Sequence, residues 1–294
     1  MQSKIAAHLI VGPRPEPFLG PLLSSLERVA DVLIVNDNGP QASPHAEALA
    51  QSAFARSGAM LVDRTPFTSF SDARNVCMRL HAERVRAPWI AFIDADEVHG
   101  EAVELVARHL DLVPPEIGAV DAYTWHFFGS FDWYTSIERR MMFFRFNDDV
   151  RWINPVHEQL VGIPSQRIAL PYVYAHYGHT LDPRRHAEKG RQYSHLGAPG
   201  DILSEDELDD IDVRSYYAEY FPRLLPFRGE HPHAALPVIA ELRRGLAPLY
   251  ALTDRIAREQ PLPVKIRNAV RAANYAQRWR LRILNPLAAK LMRR

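Results

Sequence analysis

The first half of the chain alternates short apolar runs with segments of helical period. That alternation limits the fold more than any other feature, because strand–helix–strand repetition is the pattern of a mostly parallel sheet flanked by helices. Ile5 to Val11 reads as the first strand. Leu19, Leu22, Leu23, Leu26 and Val29 follow at spacings of three and four, which makes one helical face. Val32 to Val35 is a second apolar run, closed by the polar turn Asn36-Asp37-Asn38-Gly39. Ser43 and Pro44 predict an N-cap and a first-turn proline for a helix reaching about Ser57, and Ala59 to Val62 is a third strand. Ser71 is expected to cap the next helix, whose inner face carries Ala73, Val76, Cys77 and Leu80. Trp89-Ile90-Ala91-Phe92-Ile93 is the most strand-like run of all, and it ends in Asp94-Ala95-Asp96-Glu97.

Tyr123 to Tyr134 is rich in aromatic residues, and Met141 to Phe146 reads as a further strand. The character then changes. Ser204 with Glu207 matches a capping box, and the chain from Tyr216 onward reads as helical with proline breaks. The expectation is an α/β domain over residues 1–200 and a helical C-terminal region over 201–294. With 35 basic and 35 acidic side chains the whole-chain charge favours no nucleic acid. The single cysteine, Cys77, excludes an internal disulfide or a cysteine-rich metal site, and its helical position marks it as a buried small hydrophobe rather than a nucleophile. The N-terminal apolar run is too short for a signal peptide, and no run is long enough to span a bilayer. The expected location is the cytoplasm.

Asp94 and Asp96 are the chemical centre of this reading. Along extended chain they point to one side, and ligands of open parallel sheets bind beyond the carboxyl ends of strands. Two carboxylates there suit Mn²⁺ or Mg²⁺ bridging phosphates, whereas a mere acidic helix start is the plain alternative. No G-x-x-x-x-G-K-[ST] occurs and no two glycines stand two apart, so a P-loop and a dinucleotide fingerprint are both missing. Any phosphates would be held by metal and basic side chains.

Four segments in order carry a family resemblance over roughly residues 5–190: Val32-Leu33-Ile34-Val35-Asn36-Asp37, Phe70-Ser71-Asp72-Ala73-Arg74-Asn75, Phe92-Ile93-Asp94-Ala95-Asp96-Glu97, and Trp152-Ile153-Asn154-Pro155-Val156-His157-Glu158 followed by His176-Tyr177-Gly178. With them the chain resembles bacterial family 2 glycosyltransferases of the GT-A fold. The resemblance implies transfer of a sugar, with inversion, from a nucleotide-diphospho-sugar, a UDP-sugar first, to a glycan or lipid-linked hydroxyl acceptor in a pathway such as lipopolysaccharide synthesis. It places Asp37 on the nucleotide, Asp94 on ribose or metal-bound water, and Asp96 on the metal. Where the family's first strand often ends in an asparagine–glutamate pair, this chain has Gly12-Pro13-Arg14-Pro15-Glu16, which sets Glu16 near the base.

The remaining roles each have a structural alternative. Arg74 is a candidate for the diphosphate or a surface ion pair, and Asn75 for binding the nucleotide-sugar too or for bracing the loop. His176 is the candidate third metal ligand with Asp96 and Asp94, and His179 the substitute. Glu158 is the candidate base, with Asp132 as rival. Trp125, Phe131, Trp133 and Tyr134 stack on sugars or belong to the core. Arg184, Arg185, Lys189 and Arg191 cover the diphosphate or form a solvated face. Residues 264–294 hold nine basic side chains and no acid, interleaved with Ile266, Val270, Trp279 and Leu281, a pattern suited to the anionic inner face of a membrane. Two other functions stay open: a sugar nucleotidyltransferase, and a non-catalytic glycan- or membrane-binding protein on the same fold.

Overall fold

The computed structural model describes residues 4–39, 43–198 and 204–277. In chain order the elements are β1 (Ile5–Val11), α1 (Leu19–Leu26), β2 (Val32–Asp37), α2 (Ala46–Gln51), α3 (Ala53–Arg56), β3 (Met60–Asp63), α4 (Phe70–Arg84), β4 (Trp89–Ile93), β5 (Glu97–Val98) and α5 (Val103–Arg108). Then come β6 (Ile117–Phe128), β7 (Trp133–Arg145), β8 (Arg151–Ile153), β9 (Gln159–Val161), β10 (Gln166–His179), α6 (Pro183–His195), α7 (Glu205–Asp209), α8 (Val213–Tyr216), β11 (Leu225–Pro226), α9 (Leu236–Gly245), α10 (Ala247–Arg258) and α11 (Leu262–Gln277).

The main sheet runs β3-β2-β1-β4-β7-β6-β10-β5, with β11 paired to β7. Its first four strands are parallel, as the strand–helix alternation predicts. Beyond β4 the sheet is mixed: β7 enters antiparallel to β4 and β6, β10 lies parallel to β6, and β5 closes antiparallel on β10. β8 and β9 form a separate hairpin.

Both faces of the parallel half are covered, and the strands show it with a period of two. Ile5, Ala7, Leu9 and Val11 of β1, Leu33 and Val35 of β2, and Trp89, Ala91 and Ile93 of β4 pack with α1, α2, α3 and α5. Ala6 and Ile34 pack with Cys77 of α4, and Ile90 packs with its Met78. His8 takes this second face and bonds His81 of α4 across 3.0 Å, while His81 Nε2 reaches Ala87 O at 2.9 Å, so a polar strand residue is buried with its bonds made. Burial pushes the Cys77 thiol up to about 12, which suits an inert core residue.

Three local expectations are corrected. The predicted helix after Ser43 breaks at Ser52, whose extended backbone (ψ 152°) ends α2 while its side chain caps α3. α4 starts at Phe70 and its cap is Ser69, whose hydroxyl accepts from Asp72 N–H; Ser71 lies inside the first turn. The chain does not run extended through Asp94-Ala95-Asp96: Glu97 N–H donates to Asp94 O at 3.1 Å, which makes a turn. The capping box at Ser204 and Glu207 is present.

Candidate functional site

β1 is followed by β2 and β3 on one side and has β4 on the other, so the chain order reverses between the carboxyl ends of β1 and β4. Such a switch point opens a crevice in α/β sheets. Here it is a cleft of about 1430 Å³ whose lining includes Val11 at the end of β1, Gly12 after it, and Asp94 and Asp96 after β4.

Asp94 continues the face of β4 that meets α4, and α4 brings Arg74 to it. Arg74 is buried under the rim: Nη2 donates to Asp94 Oδ1 and Nε to Glu158 Oε1, both at 2.7 Å, and the guanidinium lies 4.1 Å over the Phe92 ring. Arg140 of β7 donates to Asp94 Oδ2 at 2.8 Å and to Glu97 Oε1 at 2.9 Å. The result is a chain of alternating charge, Glu158–Arg74–Asp94–Arg140–Glu97. Burial opposes charge on Asp94, but Arg140 and Arg74 hold its carboxyl well below the usual range. Burial pushes Glu97 up to about 7 against the pull of Arg140.

This arrangement separates the two aspartates. Both Asp94 oxygens accept from guanidinium groups, so the expected two-carboxylate metal pair is replaced by one arginine-held carboxylate and one other. The turn sends Asp96 toward β10 instead. Tyr177 N–H donates to Asp96 O at 2.9 Å, and His176 Nε2 stands 3.3 Å from Asp96 Oδ1. That contact is an ion pair whose alignment falls short of a hydrogen bond, and Asp96 Oδ1 is buried without a hydrogen-bond partner. Lys189 Nζ is 4.0 Å from Oδ2. Burial opposes the Asp96 charge, and His176 and Lys189 overcome it and keep the carboxyl far below its ordinary range. A Cβ at Gly178 would fall 2.2 Å from Asp96 Oδ2, so only glycine leaves that oxygen room.

α6 forms the opposite wall, capped by the Asp182 side chain on Arg184 N–H. Arg185, Lys189, Arg191 and Tyr193 line the cleft from it. Arg185 binds the Glu16 carboxylate and Pro15 O. Burial pushes Glu16 up to about 7 against Arg185, and the Asp96 charge adds to the rise. Arg184 turns away to Glu188 at 3.1 Å and to Asp209 of α7.

The other expected site residues fall at the margin or outside. Asp37 is fully buried at the end of β2; Arg64 Nη2 is 3.2 Å from Oδ2, yet neither oxygen has a hydrogen bond. Its neighbour Asn38 lines the cleft in its place. Asn75 faces away and grips β8, donating to Trp152 O and accepting from Trp152 N–H, each at 2.9 Å. Asp132 is exposed and paired with Arg243 of α9 at 2.8 Å, outside the cleft lining. Phe131 and Tyr134 belong to the core with the C-terminal helices, and Trp125 packs on Phe227. Arg140, which bridges Asp94 and Glu97, went unnoticed in the sequence, because nothing in Arg139-Arg140 tells which arginine faces the cleft.

No family model matches the chain, and no curated protein does. Among solved structures it is similar to the mannosyltransferase PcManGT from Pyrobaculum calidifontis in complex with GDP-Man and Mn²⁺. The identity is 15%, covering 99% of this chain and 86% of that one, with a TM-score of 0.42. It is also similar to S. aureus TarS 1-349, at 11% identity over 86% of this chain and 88% of that one, with a TM-score of 0.39. Both scores lie below 0.5, so neither likeness says what this chain binds.

Proposed function

We propose that this chain is a glycosyltransferase that moves a sugar from a nucleotide-diphospho-sugar to a hydroxyl acceptor, with inversion. The observation that carries the reading is the cleft at the β1–β4 switch point, with the Asp96 carboxylate set beside Lys189 and with Arg185 and Arg191 of α6 in the same lining. Asn38 and Gly12 sit where a nucleoside would enter, and the cationic wall of α6 would meet the diphosphate. A sugar attached to that diphosphate would lie toward Glu158.

A divalent ion fits Asp96 better than it fits Asp94. Asp96 turns its Oδ2 to the cleft-lining Gly178, which leaves that oxygen room, whereas both Asp94 oxygens already accept from guanidinium groups. Mn²⁺ or Mg²⁺ bound there would neutralise charge on the diphosphate as it leaves. The protein's own part is positional. Arg74 fixes Glu158, whose carboxylate takes the proton of the acceptor hydroxyl as its oxygen bonds the anomeric carbon. The bond from that carbon to the diphosphate oxygen breaks, and its electron pair leaves with the phosphate toward Lys189 and Arg185. Asp94, held by two arginines, orients donor hydroxyls. The acceptor class is a glycan or a lipid-linked glycan, reached from an anionic membrane face through α11.

The test is a thermal-shift panel of nucleotides and nucleotide-sugars with and without Mn²⁺ on wild type, Asp96→Ala and Gly178→Ala. One diphosphate donor is expected to raise the melting temperature only with metal, and at least tenfold more donor is needed by either variant. No shift with any donor in a well-folded wild-type protein sinks the reading.

A further inference from the structure

Behind the Asp96 side of the cleft, three histidines converge from two neighbouring strands. His126 of β6 is the direct register partner of His176 of β10, and His179 lies at the end of β10. One ring nitrogen from each lies within 4.8 Å of those of the other two. None of the three rings lines the cleft.

Their hydrogen bonding is incomplete in a telling way. His126 Nε2, His176 Nδ1 and His179 Nδ1 are all buried, and none has a hydrogen-bond partner. Buried polar atoms are nearly always satisfied, so an unpartnered imidazole nitrogen on each of three clustered histidines points to a ligand. The Glu138 carboxylate is 3.4 Å from His126 Nε2, a contact not aligned as a hydrogen bond. A metal ion displaces the imidazole proton where one is held, as on His176 beside Asp96, and nitrogen donors favour zinc-class ions over magnesium.

We propose that His126, His176 and His179 form a nitrogen-donor site for a transition-metal cation of the zinc class, separate from any ion held on the cleft side of Asp96. Metal-bound histidines commonly give their second N–H to a carboxylate. His176 is placed for this, with Nε2 3.3 Å from Asp96 Oδ1, which leaves Nδ1 for the ion. Glu138, 3.4 Å from His126 Nε2, is able to supply a fourth donor. Zinc–nitrogen bonds of about 2.1 Å require neighbouring donor atoms at about 3.4 Å, so rotations of the rings by a fraction of their width close the site. The Asp96, Glu97 and Glu138 carboxylates offset the positive charge of Arg140 and Lys189 nearby. The ion would pin β6 to β10 and fix the orientation of Asp96, without touching substrate.

The experiment measures metal retention in the full chain with no nucleotide present, so it stands apart from the transferase reading. Chelator-stripped protein is given one equivalent of Zn²⁺, desalted and assayed for metal, and Co²⁺ is titrated in parallel with the visible spectrum recorded. Wild type is expected to retain about one ion per chain and to show the intense bands of four-coordinate cobalt. His126→Gln and His179→Gln should each retain at least tenfold less, and Asp96→Asn should bind roughly 10- to 100-fold more weakly. Circular dichroism confirms folding, and Zn²⁺ should raise the melting temperature of wild type but not of His126→Gln. Retention of no zinc by wild type, or equal retention by both histidine variants, overturns the proposal.

Discussion

Glu16 shows how much of this site is decided one side chain at a time. Its side chain is only 8% exposed, and although Arg185 binds it, burial and the Asp96 charge push its carboxyl up to about 7. The folded form thus holds its proton more tightly than the unfolded chain does. That contribution to stability is complete below the ordinary glutamate value of 4.5 and is lost as pH rises through about 7. Glu16→Gln keeps the shape and removes the titration. Relative to wild type it should gain stability between pH 5 and pH 7.5, by an amount of order 3 kcal/mol at most. Urea unfolding of both proteins at those two pH values measures it, and parallel curves would refute the assignment. The sequence placed Glu16, Asp94, Asp96, Arg74 and Glu158 as candidates but gave no means of pairing them. Arg74 reaches partners 20 and 84 positions away, and Arg140 reaches Asp94 across 46. For the same reason His126 read as one residue of an aromatic run: only the β6–β10 register sets it beside His176.

Among the elements, α4 links the sheet to the segment 152–158, which carries Glu158 to the cleft. Ser69 caps it, Cys77 and Met78 seat it on β1, β2 and β4, and its second turn presents Arg74 to the cleft and Asn75 to β8. The two bonds from Asn75 to Trp152 hold the start of the segment 152–158, whose Asn154 and His157 both have positive φ (70° and 51°). Left-handed backbone is uncommon outside glycine, and two such residues in one short segment mark it as tightly specified. Asn75→Ala leaves a Trp152 N–H and C=O without their partner and should cost about 1–3 kcal/mol of stability. It should also weaken donor binding more than the stability loss explains, because Glu158 rides on that segment. Comparing the unfolding free energy with donor affinity well below the melting temperature checks this; unchanged affinity would leave Asn75 purely structural. The parallel half of the fold was legible because local periodicity alone records it. The mixed half was not, since the order β4-β7-β6-β10 depends on pairings between distant segments and on the turn at Asp94–Glu97.

Taken as a whole, the molecule does not divide cleanly near residue 200. Ala235, Ile239 and Tyr250 share one buried cluster with Phe18, Phe127, Phe131 and Tyr177, so the C-terminal helices complete the core over the mixed half of the sheet. α11 is fastened to this body along one side. Asn268 Nδ2 donates to Pro222 O at 3.0 Å and Leu224 O at 3.2 Å, and Arg271 donates to Thr135 O at 2.6 Å. Its other side shows Leu262, Ile266 and Val270 to solvent at 69%, 57% and 56% exposure, one helical turn apart, beside Lys265. Among the described residues no helix is long and apolar enough to cross a membrane. Arg278, Trp279, Arg280, Arg282, Lys290, Arg293 and Arg294 of the expected basic segment lie outside the described residues, yet their charge belongs to the same stretch of chain. An apolar stripe at the root of an acid-free basic segment matches the interfacial layer of an anionic bilayer, apolar side chains below the headgroups and cations among them. Co-sedimentation should therefore show binding to phosphatidylserine-containing vesicles and several-fold less to phosphatidylcholine alone, with the difference shrinking as salt is raised. Ile266→Asp with Val270→Asp should reduce binding at least fivefold without lowering the melting temperature, because both side chains are exposed and outside the core. Equal binding to both vesicle types, or an unaffected double variant, would mean that α11 meets something other than lipid.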